Sequence, residues 1–457
     1  MKKAILLLAL LTSVSFSFAQ SELNLAQCEE IALENNRQIK AAGYKTYAAR
    51  QTSLGMKGNF FPEFKFSATG LYSTTNESLK IEGGNLPVLA PSATSPTGMA
   101  PTGEFAYFPG LSIDFKMREL FNSGVTLEQP IYAGGKISAA YRLSKLGVEI
   151  AQQNERLTKT EVIVSTDNAY ANAVKAAELE KVAVKYHDAL QELYRNIESA
   201  LRNGMATRND LLKVQVKLND AQLKLMKARN AIRLARINLC HTIGLPLDSN
   251  IVVSSAWPEV AVPSDILMDI SARPEYDMLD MQVKAASEEV KIQRANQLPQ
   301  IGVVANYGYT YGAKINDQRL FNSTGSNVMV TLSVPIFHFG KYSHELKSAK
   351  YKEEQLREER QYRNELMYLE ATRAANNLAE AQLECQVAEK SLEQAAENMR
   401  ISGKSYELGE ETLGDYLESQ VLWQQAWQEK VESQYKLYIA FVEYKRASGN
   451  FVVEREL

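Results

Sequence analysis

Apolar and polar residues alternate in four stretches of the chain, two in each half. Phe64 and Phe66 flank Lys65, and the stretch from Val328 to Ile336 has the same alternation. This period of two predicts β-strands with one apolar face. About ten residues is the length of a tilted membrane-spanning strand, although a half-buried sheet of a soluble protein has the same pattern. We place the strands at about residues 62–76, 119–132, 299–313 and 326–337.

Long helices are predicted between and after the strands. Lys136 to Arg202 and Lys341 to Ser402 contain no proline and very little glycine. At 1.5 Å per residue, each forms a rod on the order of 100 Å long. Gly204 and Gly409 end these rods, and a shorter helix returns from each. The predicted helices span about residues 24–58, 136–202, 206–242, 273–297, 340–402 and 412–448.

The two helices of the first long pair have different apolar periods. In the shorter helix, apolar residues recur at alternating intervals of three and four, which is a heptad seam typical of left-handed coiling. These residues are Leu211, Val214, Leu218, Ala221, Leu225, Ala228, Ile232, Ala235 and Leu239. In the longer helix, apolar residues recur at intervals of three, four and four, which favours a straight or slightly right-handed arrangement. These residues are Leu179, Val182, Tyr186, Leu190, Leu193, Ile197 and Leu201. A straight helix with short heptad partners suits the wall of a hollow helical cylinder.

The chain contains an internal duplication. A constant shift of 205 residues maps Pro130, Gly135, Gly204, Thr207 and Asp210 onto Pro335, Gly340, Gly409, Thr412 and Asp415. A constant offset over about 120 residues indicates two copies of one unit with helices of equal length. We therefore predict a first repeat at residues 20–244, a linker at 245–272 and a second repeat at 273–457.

The strands of each pair are joined by segments of different length. Residues 77–113 are rich in Gly, Pro and Ser, whereas 314–325 is short and polar, and we predict both as exposed loops. This leaves four strands per chain, too few to close a barrel. Unpaired strand edges in lipid cost several kcal/mol per group, so strands that span a membrane would require more than one chain.

The ends and the composition point to export from the cytoplasm. Met1-Lys2-Lys3, an apolar run and Ser17-Phe18-Ala19 predict a signal peptide at residues 1–19. No later stretch is apolar enough for a spanning helix. The acidic residues slightly outnumber the basic ones, 54 against 51, and no basic cluster indicates nucleic acid. The cysteines at 28, 240 and 385 fit no disulfide framework or zinc site and are predicted to be small buried residues.

The chain resembles the TolC-like outer-membrane efflux protein family in the order of its elements. After a signal peptide, the same order occurs twice: helix, strand, loop, strand, long helix, Gly turn and return helix. The resemblance implies an α+β membrane protein. Its helical hairpins would form a periplasmic α-barrel, and its four strands would join those of two other copies in a trimeric 12-stranded β-barrel. Residues 245–272 would form part of an equatorial belt. The implied function is a passive exit channel in the outer membrane, opening at its periplasmic tip to export small molecules or polypeptides.

The resemblance also assigns roles to the two Gly-x-x-Thr-x-x-Asp turns. Three chains would bring Asp415 and Glu418 together as two stacked carboxylate rings, a gate that attracts cations and in which mutual repulsion raises some pKa values. The remaining tip residues would form the constriction or meet a periplasmic adaptor. For the constriction these are Asp210, Lys213, Arg208 and Glu411. The predicted adaptor contacts are Gly204, Met205, Ala206, Thr207, Gly409, Glu410 and Thr412.

One position departs from the family pattern. The family often has a basic residue in the second turn, paired with the Asp of the first. Here Glu411 stands at that position, facing Asp210, so the closing salt bridge cannot form in the usual way. Arg208 is the alternative cation. A solvated helix face remains the other interpretation of Asp415 and Glu418.

The expected partners are two further copies, outer-membrane lipid, an adaptor (membrane fusion) protein and an inner-membrane transporter. We expect neither enzymatic activity nor a cofactor or metal site. His338 and His344 lie near one another without flanking carboxylates, and no phosphate loop or nucleophile motif occurs. The alternative function is a soluble periplasmic coiled-coil adaptor or scaffold, which would lack the duplicated strand pairs.

Overall fold

The computed structural model describes residues 22–451 except 75, 92, 95, 255, 261–268 and 450. The predicted signal peptide and part of the predicted linker therefore lie outside the described residues. The chain divides into two compact units. The first comprises Met1–Arg50, Leu146–Ala285 and Glu354–Leu457, and the second comprises Gln51–Lys145 and Ala286–Glu353.

The α-helices have the following bounds: α1 Leu25–Asn35, α2 Arg37–Gly58, α3 Lys136–Arg202, α4 Arg208–Ile243, α5 Pro274–Ala295, α6 Lys341–Glu407 and α7 Leu413–Ala447. The strands are β1 Glu22–Leu23, β2 Glu63–Tyr72, β3 Asn76–Ile81, β4 Gly84–Pro91, β5 Met99–Phe108, β6 Leu111–Ala133, β7 Val252–Val253, β8 Gln300–Ile315 and β9 Gln318–Ser333. Among the described residues, no helix is both long and apolar enough to cross a membrane.

The two longest helices, α3 and α6, have 67 residues each. The sequence places the bounds of α3 correctly, whereas α6 continues five residues beyond the predicted end at Ser402. Gly403 does not break the helix. A Cβ there would lie 3.2 Å from Cε2 of Tyr416, so the glycine lets α6 approach an aromatic ring closely.

The first predicted helix is divided at Asn36. This residue is extended, at φ −61° and ψ 128°, and its side chain caps the start of α2. Its Nδ2 donates to the Thr242 carbonyl oxygen at 2.8 Å, and its Oδ1 accepts from the Gln38 N–H at 2.7 Å. The bond to Thr242 ties this break to the end of α4.

The first unit is held by helix packing. Every residue of the predicted heptad seam on α4 is buried or half-buried, and so is every residue of the 3-4-4 stripe on α3. A second cluster joins β1, α1 and the middle of α3 to the end of α4, where Cys28 and Cys240 are buried free thiols. Cys385 is also free but only half-buried, so the prediction of buried cysteines is correct for two of the three.

The second unit contains an antiparallel sheet in the order β2-β6-β8-β9, with β3 also paired to β6. The register places Phe66 opposite Val125, Val125 opposite Tyr307, and Tyr307 opposite Ser326. Together with the helices, this sheet confirms the predicted mixed α and β class.

The predicted loops are largely strands. Residues 77–113 form β3, β4, β5 and the start of β6, and β4 and β5 pair as an antiparallel hairpin. The segment 314–325 is reduced to a two-residue turn at Asn316 and Asp317, with φ of 49° and 65°. Such left-handed pairs match the twist of a tight hairpin. Consequently β6, β8 and β9 are longer than ten residues, and β9 ends at Ser333 rather than at residue 337.

Candidate gate at the helical tips

The turn between α3 and α4, here called the first tip, is stabilised by a reciprocal cap. Thr207 Oγ1 accepts from the Asp210 N–H at 3.2 Å, and Asp210 Oδ2 accepts from the Thr207 N–H at 3.2 Å and from its hydroxyl at 2.6 Å. This capping box satisfies N–H groups that have no partner inside the helix. The repeated Thr-x-x-Asp motif is therefore a helix start.

The turn between α6 and α7, the second tip, repeats this geometry. The corresponding bonds between Thr412 and Asp415 measure 3.3, 3.1 and 2.6 Å. Gly204 and Gly409 both have left-handed backbones, with φ of 73° and 78°, a conformation that costs glycine little. The two tips thus share one backbone design.

The two tips pack against each other. Leu413 and Leu417 of the second tip belong to the same buried cluster as Leu193, Ile197 and Val214 of the first hairpin. Tyr406 and Tyr416 stack at the edge of this cluster, with ring centroids 5.5 Å apart and planes 12° from parallel. Sequence reasoning missed this pair because each tyrosine lies on a different helix.

The predicted acidic pair of the gate lies on the surface. Asp415 and Glu418 are both exposed on the first turns of α7. Hydrogen bonds from the Thr412 hydroxyl and backbone lower the pKa of Asp415. Within one chain the shift is thus opposite to the rise that we expected from repulsion between carboxylates.

The first tip carries a different charge pattern. Asp210 is half-buried, and its pKa is lowered by the bonds from Thr207 and by the nearby Lys213 ammonium. Lys213 Nζ lies 3.8 Å from Asp210 Oδ1. The pair at the first tip is therefore a mixed one, whereas that at the second tip is purely acidic.

Glu411 and Asp210 each bond inside their own hairpin. The carboxylate of Glu411 accepts a hydrogen bond from the Ser402 hydroxyl on α6, while Asp210 is bonded to Thr207. Arg208 is exposed and makes no ion pair with any described residue. Glu411 is therefore used inside its own hairpin, which the sequence spacing alone did not indicate.

The residues predicted to meet an adaptor lie mostly on the surface. Met205 is 76% exposed, an unusual degree for a large apolar side chain. Ala206 is half-buried against the cluster between the tips. The others are exposed, namely Gly204, Thr207, Gly409, Glu410 and Thr412.

A buried polar layer lies beyond the second tip and was also missed. Ser419, Gln420 and Gln424 of α7 are almost fully buried. Gln424 Oε1 accepts from Lys224 Nζ at 3.2 Å, whereas Gln420 Oε1 has no hydrogen-bond partner among the described residues. The signal was available in the sequence, because Gln420 and Gln424 are one helical turn apart on the face that carries Leu413 and Leu417.

A buried carboxylate lies elsewhere in the first unit. Asp167 of α3 is 4% exposed, and burial together with the nearby Glu29 raises its pKa to about 8. Among the described residues, no group of three His, Cys, Asp or Glu side chains is arranged to hold a metal ion.

The outer membrane efflux protein family matches residues 30–245 and 270–450 of this chain. A pyoverdine export outer membrane protein, OpmQ of Pseudomonas aeruginosa, is 24% identical over 66% of the chain, which spans 64% of that relative's length. OpmQ of Pseudomonas putida is 22% identical, with 95% of this chain and 87% of the relative covered. The alkaline protease secretion protein AprF of P. aeruginosa is 26% identical over half of the chain and 49% of its own length.

Solved structures share the fold. The CmeC outer membrane channel of Campylobacter jejuni superposes with a TM-score of 0.73 at 21% identity, covering 94% of this chain and 87% of that one. The open state of the MtrE outer membrane channel of Neisseria gonorrhoeae gives 0.72 at 16% identity, covering 93% and 88%.

Proposed function

Because the chain belongs to the outer membrane efflux protein family, we propose that it is one subunit of a passive exit channel of a tripartite efflux or secretion system. The match confirms the family resemblance and the outer-membrane location predicted from the sequence. It also favours a channel over a soluble periplasmic adaptor. The family is one of efflux proteins rather than of enzymes.

We propose that three copies form the channel, with their strands in the outer membrane and their helices in the periplasm. The sheet of one chain supports this proposal, since β2 and β9 stand at its two ends. In lipid, such edges require a partner. Val328, Val330 and Leu332 of β9 are each more than 60% exposed in the single chain, as expected for a strand that faces lipid and a neighbouring copy.

The gate of this channel is proposed to lie at the tips. The observation that carries the proposal is the side-by-side packing of two capped tips, of which only the second presents two exposed carboxylates, Asp415 and Glu418. In a trimer these would become two rings that attract cations by summed charge. The Asp210–Lys213 pair of the first tip would contribute little net charge.

We assign the opening of the gate to contact with a periplasmic adaptor. The adaptor would couple the channel to an inner-membrane transporter. The exposed Met205 side chain and the glycines of both tips offer an apolar and sterically open surface for such a contact. The cargo class is small molecules or polypeptides. The named relatives include proteins for both classes of cargo: OpmQ is a pyoverdine export protein, and AprF is an alkaline protease secretion protein.

The test is the conductance of the purified protein in planar bilayers. We expect discrete channels that prefer cations, and a reduced preference in the double variant Asp415→Asn, Glu418→Gln. Asn retains a side-chain oxygen that can accept from the Thr412 N–H, so the capping box of α7 is kept. Glu410→Gln, a neutralisation in the turn itself, is the matched control. A protein that forms no pores would contradict the channel, while unchanged selectivity in the double variant would contradict the gate alone.

A further inference from the structure

A pocket of about 430 Å³ lies in the first unit, where α1, α3 and α7 meet the segment that follows β7. Sites for small molecules have volumes of roughly 300–1,000 Å³. One part of the wall is aromatic and another part is acidic. Among the described residues that line the pocket, the aromatic ones are Tyr170, Trp257, Tyr438 and Phe441, and the acidic ones are Glu29, Asp167 and Glu259.

The acidic part of the wall contains a carboxylate oxygen that lacks a hydrogen bond. Asp167 is 4% exposed, and its Oδ1 has no hydrogen-bond partner among the described residues. Buried polar atoms are nearly always bonded, because withdrawal from water without a partner costs free energy. A ligand that donates an N–H to this oxygen supplies the missing bond.

The carboxyls of the pocket outnumber its cations. Burial and the adjacent Glu29 carboxyl raise the pKa of Asp167 to about 8. Lys445 also lines the pocket, but its ammonium lies over the rings of Phe441 and Phe451, 5.4 and 5.1 Å from their centroids. This ammonium makes no ion pair with any described residue. The chain's own cation therefore does not pair with either carboxyl.

The other long helix shows that packing does not require an acid at this position. The positions 205 residues after Asp167 and Tyr170 are occupied in α6 by Thr372 and Ala375. The Thr372 hydroxyl donates to the Tyr368 carbonyl oxygen of its own helix at 2.9 Å. Since α3 and α6 have the same length of 67 residues, the acid in α3 serves something other than helix formation.

We propose that this pocket binds an organic cation, namely a protonated amine with an apolar body. The N–H groups of the amine donate to Asp167 and Glu29, and the apolar body lies against Trp257 and Phe441. Charge-assisted hydrogen bonds and contact with aromatic rings both favour such a cation. The site goes beyond the proposed channel and is separate from its gate. Asp167 lies 35 residues before Arg202 at the end of α3, which is about 50 Å along the helix.

The test is isothermal titration calorimetry of the full chain in detergent, with benzylammonium as the probe. We expect saturable binding that is weakened about tenfold or more in Asp167→Asn, because a charged hydrogen bond is lost. Asn has nearly the shape of the acid and removes only its charge. Glu161→Gln neutralises an exposed position of the same helix and should bind like the wild type. The gate variant Asp415→Asn, Glu418→Gln should also bind normally.

Two further comparisons examine the charge of the ligand and the aromatic wall separately. Benzyl alcohol has the same ring without the charge and should bind about tenfold more weakly or less. Trp257→Leu removes one aromatic side chain and should weaken benzylammonium binding about threefold or more. This second variant leaves Asp167 in place, so it tests the site independently of the effect of Asp167→Asn on folding.

Binding should tighten as the pH rises from 6 to 8, because the proton on Asp167 must leave when an ammonium binds. The other titratable groups that line the pocket are Glu29 of α1, Tyr170 of α3, Tyr438 and Lys445 of α7, and Glu259 after β7. An affinity that falls over this range would contradict the assignment of the ammonium to Asp167.

Three results would overturn the site. They are the absence of saturable binding by the wild type, equal binding of benzyl alcohol, and an affinity that Asp167→Asn leaves unchanged. A protein that binds benzylammonium as expected but forms no pores would contradict the proposed channel and leave this site standing.

Discussion

The two tips have the same backbone and the same caps but differ in the residues that surround them. The second tip has Tyr406 and Tyr416 stacked and presents Asp415 with Glu418. At the equivalent positions the first tip has Leu201 and Leu211, and it presents Asp210 with Lys213. The two tips therefore share what starts a helix, while their packing and charge differ. On this account the second hairpin carries the gate and the first supports it.

Loss of the tyrosine stack should have the largest effect on stability. Tyr416→Ala removes a half-buried ring and should lower the free energy of unfolding by about 2 kcal/mol. Tyr416→Leu, which gives the second tip the residue of the first, should cost about 1 kcal/mol because only the aromatic pairing is lost. Thermal melting at fixed protein concentration, followed by circular dichroism, measures both. A Tyr416→Leu protein that melts like the wild type would mean that the stack contributes nothing.

The caps of the two tips should contribute equally to the free energy of unfolding. Thr207→Ala and Thr412→Ala each remove the hydroxyl of a capping box and should cost about 1 kcal/mol of unfolding free energy. Serine in place of either threonine keeps the hydroxyl and serves as the control. Hydrogen exchange of the amides in the first turns of α4 and α7 locates the effect. Unequal losses at the two tips would contradict the shared backbone design.

Acid should remove a smaller contribution to the stability of the folded protein at both tips. The pKa values of Asp210 and Asp415 are lowered by bonds from the capping threonines. Their stabilisation is therefore present above the ordinary aspartate pKa and is lost as pH falls through the lower folded value. The difference in melting temperature between wild type and Asp210→Asn should shrink from pH 6 to pH 2.5, and likewise for Asp415→Asn. A difference that grows on acidification would reverse the sign of this prediction.

Local sequence signals predicted the helices and the tip starts well. The bounds of α3 follow from a long run without proline that Gly204 ends, and the seam of α4 follows from its apolar period. The strands between residues 76 and 108 were missed, because Gly, Pro and Ser also occur in exposed hairpins whose pairing supplies the order. Glu411 bonds to Ser402 and Tyr406 stacks on Tyr416 through contacts between helices, which spacing along one helix cannot show.

We propose that the acidic gate belongs to the second tip alone. Glu418 and Lys213 each lie nine residues after the glycine of their own tip, so Glu418→Gln and Lys213→Gln are matched neutralisations. The direct measurement is the reversal potential of each channel in a planar bilayer across a salt gradient. We expect Glu418→Gln to weaken the preference for cations, whereas Lys213→Gln should leave it intact or strengthen it. Equal weakening by both variants, or none from Glu418→Gln, would contradict it.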